Sequence, residues 1–275
     1  MKVNNMISGQ YYPGSSFFHR IDPRAKILAV SAYAVVLFLV AGFGGLVLLA
    51  AGLAAGIFLA GVPPSWLWRG LRPVLLLIAI TFLFQVFLTG GEELARLGPI
   101  PVYREGVFRG AFLALRLMLL VLSGSILTFT TPPVLLTDAL GRLMSPLTKI
   151  KIPVYELALT MTIALRFIPT LVMETDRIIK AQKARGALAA AGGPVARARG
   201  ILPVLTPLFV TSFRHADELA VAMESRCWRG GRGRTVRRKL AFNRRDAAFG
   251  LALLALLAVS LWVGRFQPGE LEIWR

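Results

Sequence analysis

The sequence predicts an all-α integral membrane protein with about five transmembrane helices and a cytoplasmic domain of one short and two long helices. Three observations carry that prediction. The 275 residues are 56% hydrophobic with a mean hydropathy of +0.65, more apolar than a soluble domain needs. Charge-free stretches long enough to cross a bilayer recur along the chain, and the net charge of +18 is concentrated between them. Two segments of one long basic region repeat each other at a spacing of 41 residues. A single cysteine excludes an internal disulfide, and two histidines argue against a His-built metal site.

Met1 to Lys26 lacks an apolar core followed by a small-residue cleavage site, so no removable signal peptide is expected. Ile27 to Val62 then offers 36 residues without a charge, enough for two short passes. Gly42-Phe43-Gly44-Gly45 at the midpoint marks a hairpin, with spans near 27–41 and 46–62. Gly52 and Gly56 in the second span offer a small face for a close helix approach. Pro63-Pro64-Ser65 ends that span, and Trp66, Trp68, Arg69 and Arg72 read as an interfacial belt before a third span near 73–89. Its one strongly polar side chain, Gln85, is expected to bond a neighbouring helix. Gly90 to Arg109 is a polar connection of zero net charge, and a fourth span follows near 107–130. Arg116 lies within it and is expected to snorkel or to pair with a carboxylate.

Thr131-Pro132-Pro133 reads as a cap and first turn opening a short amphipathic helix to about Met144. Pro153 starts the first long helix, kinked at Pro169 and running to Arg185. Ala187 to Gly200 is a connector rich in Ala and Gly, and Pro203 and Pro207 start the second long helix, through Leu208, Thr211, His215, Leu219 and Met223 to Arg226. Gly230 to Arg245 is a basic strip beside lipid headgroups rather than a nucleic-acid site, since it has few interleaved aromatics and directly precedes the last span, near 247–264.

Val154 to Val172 is apolar enough to cross, and charge decides its expected placement. If it crossed, residues 173–245, with 16 Lys and Arg against five acids, would face away from the basic N-terminus. Kept inside, residues 1–26, 61–72 and 132–245 carry +3, +2 and +13, which together equal the whole net charge. The positive-inside rule then puts the N-terminus and 132–245 in the cytoplasm and the C-terminus outside. Three regions follow: 1–131 with four spans, 132–245 as the cytoplasmic domain, and 246–275 as the last span with an outer tail.

The repeat pairs Thr170 with Thr211, Asp176 with Asp217, Ile178 with Leu219, Ala181 with Ala222 and Arg185 with Arg226. Each segment ends in an arginine triplet, Ala184-Arg185-Gly186 and Ser225-Arg226-Cys227. A cation in the last helical turn suits the exposed carbonyls and the helix dipole, which accounts for either arginine alone but not for the matched pair. A guanidinium also grips a carboxylate of another protein in bidentate fashion, so two matched tips suit two similar clefts. Small residues at Pro169, Thr170, Ala181, Ser212, Ala216 and Ala222 are where the two helices are expected to pack closely. No phosphate-binding loop is present, since none of the seven lysines follows a glycine; there is no Gly-x-Ser-x-Gly elbow and no convergent acid, base and nucleophile set. His215 is expected to serve helix packing. A secondary carrier should show broken spans in matching halves and ionisable groups at the membrane middle, but the repeat is confined to the long helices.

Ser16-Phe17-Phe18-His19-Arg20-Ile21-Asp22-Pro23-Arg24-Ala25-Lys26, Arg166-Phe167-Ile168-Pro169 and the paired triplets resemble the transmembrane T component of energy-coupling factor (ECF) transporters, a likeness covering nearly the whole chain. That family includes the Q component of cobalt and nickel importers. The resemblance implies a non-catalytic subunit of a prokaryotic cell-membrane ABC importer, without a cofactor of its own. Its two coupling helices would dock Arg185 and Arg226 in grooves of two ABC-type ATPase subunits. Motion would pass to a separate substrate-binding S component that takes up a vitamin or metal ion. Cys227 departs from the family's X-Arg-Gly pattern, and a left-handed helix end is less easy for cysteine than for glycine.

Overall fold

The computed structural model describes residues 11–14, 16–90, 93–97, 100–186, 194–228, 230 and 244–265. Residues 1–10, part of the Ala- and Gly-rich connector (187–193), most of the basic strip (231–243) and the tail (266–275) lie outside the described residues. The elements are α1 (Phe17–Arg20), α2 (Pro23–Leu39), α3 (Phe43–Ala60), α4 (Pro64–Leu88), β1 (Glu93–Leu97), β2 (Ile100–Tyr103), α5 (Arg104–Thr130), α6 (Pro133–Leu143), a 3-10 turn (Ser145–Ile150), α7 (Val154–Ala184), α8 (Pro194–Ser225) and α9 (Arg244–Arg265). The fold is that of an all-α membrane protein, with one small addition. The polar connection after α4 carries an antiparallel hairpin, in which Leu97 pairs with Ile100 and Arg96 with Pro101.

Among the described residues five helices are long and apolar enough to cross a membrane: α3, α4, α5, α7 and α9. This set differs from the expected one in two members. α7, placed by charge on the cytoplasmic side, qualifies by length and composition, though it is the least apolar of the five. α2, counted among the expected spans, has only 17 residues, about 25 Å at 1.5 Å per residue, at the short end of what spans a hydrocarbon core.

The chain divides into two compact units. One gathers Gln10–Leu136 with Lys239–Arg275. Its core is built from Tyr33, Val36, Leu37 and Val40 of α2 and its end, Leu46 and Leu49 of α3, Phe112 and Leu119 of α5, and Leu257 of α9. Glycine permits the tightest approach. A Cβ on Gly45 would sit 2.5 Å from the carbonyl oxygen of Ser260, so α3 and α9 lie nearly backbone to backbone. The Gly52-Gly56 face is likewise occupied, by Leu256 of α9 at Gly52 and by the Phe18 ring at Gly56. Between α4 and α5 the same device recurs, a Cβ on Gly106 meeting the Gln85 carbonyl at 2.6 Å. The Gln85 amide does not reach a neighbouring helix; its Oε1 accepts from Thr89 Oγ1 at 2.7 Å, one turn along α4.

Arg116 does not snorkel, and among the described residues it pairs with no carboxylate. It is 8% exposed, donates through Nη2 to the Val40 carbonyl at 2.6 Å, and stacks over the Phe112 ring at 4.6 Å. The guanidinium thus satisfies a carbonyl left over at the C-terminal end of α2, where the helix dipole favours a cation, while two rings cover its face.

The opening motif fastens one end of this unit. The His19 Nε2–H donates to the Tyr12 carbonyl at 3.0 Å, which leaves Nδ1 to accept from Ser16 Oγ at 2.6 Å. Asp22 caps α2 by accepting from the Arg24 N–H at 2.9 Å, and its own N–H donates to Asp246 at the start of α9. Lys26 donates to the Thr130 carbonyl and to Thr131 Oγ1 at the end of α5. Asp22, Lys26, Thr131 and Asp246 are all buried, so one cluster joins α2, α5 and α9.

The other unit gathers Thr137–Arg238. Gly141 of α6 lets Ala158 of α7 approach, a Cβ there meeting that methyl at 2.7 Å. α8 begins at Pro194, nine residues before the expected start, and runs through Pro203 and Pro207. Pro194 stands at the favoured first helical position. The two inner prolines each remove a backbone donor without ending the helix, and both sit on or beside the face of α8 that is turned inwards. Similarly, α4 starts at Pro64 and passes through Pro73, so the expected belt of Trp66, Trp68, Arg69 and Arg72 lies within the start of the helix, with Arg69 over the Trp66 ring at 5.7 Å.

Candidate functional site: the ends of the two long helices

α7 and α8 have 31 and 32 residues and end in the two arginine triplets. At the first tip Arg185 follows Ala184, the last helical residue, and its N–H donates to the Ala181 carbonyl at 3.2 Å. Gly186 takes a left-handed φ of 72° and donates to the Lys183 carbonyl. At the second tip, Arg226 follows Ser225, and Cys227 takes φ 55° and donates to the Glu224 carbonyl at 2.8 Å, after which the Trp228 N–H returns to the Met223 carbonyl at 3.1 Å. That pair of bonds is a Schellman cap, and the bond from residue 186 to 183 is its counterpart on α7. Cysteine therefore occupies the conformation that glycine normally supplies, at the expense of a local strain of about 1–2 kcal/mol. The hydrogen-bonded cap offsets it, and each helix ends in a left-handed residue whose N–H returns to the carbonyl three residues earlier.

All six triplet residues are exposed, and among the described residues neither Arg185 nor Arg226 meets a carboxylate. The tips present two guanidinium groups with free forks, each held at a rigid helix end.

Behind the tips α8 carries a covered strip, Val204, Leu208, Thr211, His215, Leu219 and Met223, whose members recur every three or four residues, with Ser212 beside it. The expected small-residue packing is only partly where the helices are covered. Pro169, Thr170 and Ser212 are half-buried, whereas Ala181, Ala216 and Ala222 are exposed. The correction follows from helical geometry. Ala216 and Ala222 lie off the strip that runs through His215, Leu219 and Met223, so they face outwards however small they are.

At the meeting point His215 Nε2 donates to Glu174 Oε1 at 2.8 Å, with Glu218 Oε2 3.6 Å from Nδ1 and the Phe167 ring 6.1 Å from the imidazole. The hydrogen bond to Glu174 raises the His215 pKa above its ordinary value; partial desolvation opposes this, and Glu218 adds to it. Sequence reading placed His215 in helix packing but missed its partner. The signal was available, because Glu174 is the residue 41 positions earlier, its match in the repeat.

No group of three or more His, Cys, Asp or Glu residues able to hold a metal ion occurs among the described residues. What the arrangement offers chemically is a pair of exposed cations at matching helix ends.

Comparison with known proteins gives these features a context. Residues 14–236 match the family described as CbiQ, cobalt transport protein. The chain is 46% identical over 258 residues to a protein of Thermosediminibacter oceani named energy-coupling factor transporter transmembrane protein EcfT, covering 94% of this chain and 97% of that one. Proteins of the same name from Acidaminococcus fermentans and Bacillus subtilis are 48% and 42% identical, each alignment covering 94% of this chain and 96% and 97% of theirs. On these matches, and with the helical membrane fold already described, the chain belongs to the CbiQ family as a transmembrane T component of the ECF transporters.

Proposed function

We propose that this T component is the mechanical link of its transporter, joining two ABC-type ATPase subunits to a substrate-binding S component for the uptake of a vitamin or metal ion. The observation that supports this most directly is the matched pair of tips. A single helix-end arginine has a local explanation in the helix dipole; two, on repeated helices with the same left-handed cap, fit a pair of similar clefts. The chain has no phosphate-binding loop, so ATP hydrolysis falls to the partner subunits. Exposed apolar side chains along α7 and α8, including Met161, Ile168, Phe209 and Phe213, fit helices that lie against the bilayer or against a membrane partner.

Purification of the tagged chain from its native membrane, with mass spectrometry of what stays bound, tests the assignment. Two ATPases with phosphate-binding loops and a small hydrophobic protein are expected. A chain that instead transports alone in vesicles without ATP would show a carrier driven by an ion gradient.

Orientation follows from the basic segments, with the N-terminus and 132–245 inside and the C-terminus outside. Cys227 is the one cysteine and is exposed, so the wild-type chain reports on this directly. A membrane-impermeant maleimide should label it in inside-out vesicles of cells expressing the chain alone, and not in intact cells. Labelling from outside would overturn the topology.

A further inference from the structure

The two long helices repeat one another, and residues 174 and 215 occupy the same place in the repeat. They are also the residues that touch, through a 2.8 Å hydrogen bond. Where a repeat meets itself at equivalent positions, identical ionisable side chains would repel. The chain avoids this by carrying glutamate in one copy and histidine in the other. The inversion continues one turn further, where Arg177 matches Glu218, so each helix carries a pair of opposite charges in opposite order. The bond is partly sheltered: the Glu174 side chain is 18% exposed, its Oε2 is buried with no partner among the described residues, and the Phe167 ring lies beside the imidazole. By contrast Ser212 Oγ donates to the Leu208 carbonyl of its own helix, so it adds no directional bond between the two helices. Among the described residues the Glu174–His215 bond is the one directional, charge-complementary contact between α7 and α8, and it fixes the register at which they meet.

We propose that Glu174 and His215 form the pivot of the crossing, a pair of positioning residues that holds α7 and α8 at one register while the tips move. The proposal rests on the coupling reading for its consequence in transport but not for its geometry, and the test separates the two. The titratable groups facing the imidazole are Glu174 of α7 and Glu218 of α8. The contact is strongest with His215 protonated. With its pKa raised in the folded chain, that state is full at low pH and is lost as pH rises through the raised value.

The geometric arm uses the chain alone, with Cys227 replaced by Ser and spin labels on Ala181→Cys and Ala222→Cys, which are exposed and equivalent near the two tips. A narrow distance distribution is expected in the wild-type background below the histidine titration. It should broaden as pH rises, and broaden at every pH in Glu174→Gln and His215→Gln. The exchange Glu174→His with His215→Glu should narrow it again. The functional arm uses the complex with its ATPases, in which both single variants should assemble normally but lose about fivefold in uptake per ATP hydrolysed, the factor that roughly one charge-assisted hydrogen bond supplies after solvent screening. The exchanged pair should recover it. Distributions unchanged in the single variants, or an exchanged pair no better than either, would overturn the pivot. Failure of the wild-type chain to capture ATPases would instead sink the coupling reading and leave the geometric arm to decide the pivot.

Discussion

On the proposed coupling role, a chain carrying Arg185→Glu together with Arg226→Glu is expected to insert in the membrane as the wild type does, yet to capture no ATPase subunits and to support no ATP-driven uptake. Insertion should survive because both side chains are exposed at helix ends and make no ion pair among the described residues. The folded unit therefore forfeits little beyond a favourable charge at each helix C-terminus, about 0.3–1 kcal/mol per end. Association is different. A guanidinium that leaves water for a bidentate grip on a carboxylate contributes about 1.5–3 kcal/mol, and reversing the charge sets like against like in the same cleft. Two such tips lost together amount to more than about 5 kcal/mol, a weakening on the order of several thousandfold that no purification would survive. Arg185→Lys with Arg226→Lys keeps the charge and loses the fork, and should fall between the two. Co-purification measured beside membrane content decides the matter, and unchanged ATPase capture with unchanged uptake by the Glu variant would refute the coupling role.

The shared cap bears on how far this site was legible in the sequence. The 41-residue repeat and its two arginines could be read from residue identity alone, because a helix end and its cation are local properties. Cys227 could not, since glycine is the usual sign of a left-handed cap and its absence argued against one; only the return bond from Trp228 to Met223 shows that the cap forms regardless. Prolines misled in a similar way. Pro203 and Pro207 are good helix openers in isolation, and so is Pro73, yet each lies inside a helix whose real start carries another proline, Pro194 or Pro64. Tertiary partners of buried polar groups were the least legible. That Arg116 would find a backbone carbonyl 76 residues earlier in the chain, or that the Gly52 face would receive Leu256, depends on which helices are neighbours, and hydropathy does not encode that. The opening motif was recognisable by resemblance, but nothing in its spacing pointed to Asp246 or Thr131 as what it grips.

That grip gives the second large expected effect, on stability rather than partners. Lys26→Met should lower the thermal midpoint of the chain in detergent by about 10 °C, corresponding to about 3–5 kcal/mol for breaking a buried ion cluster at one member. The size follows from what is left behind. Lys26 is 4% exposed, and its ammonium lies in the field of the Asp22 and Asp246 carboxylates, which are 6% and 5% exposed. Methionine fills the space of the side chain but leaves both carboxylates without that cation, and it removes the donors now used by the Thr130 carbonyl at 3.1 Å and by Thr131 Oγ1 at 2.9 Å. If the penalty is electrostatic, Asp246→Asn in the Lys26→Met background should recover part of the loss, because one buried charge is then gone; if it is only packing, the second change should add to the first. Thr131→Ala, which deletes a single acceptor, should cost about 1 kcal/mol. Unfolding followed by tryptophan fluorescence separates these cases, and a Lys26→Met midpoint within about 2 °C of wild type, less than about 1 kcal/mol, would show that the cluster joining α2, α5 and α9 does not hold the membrane unit together.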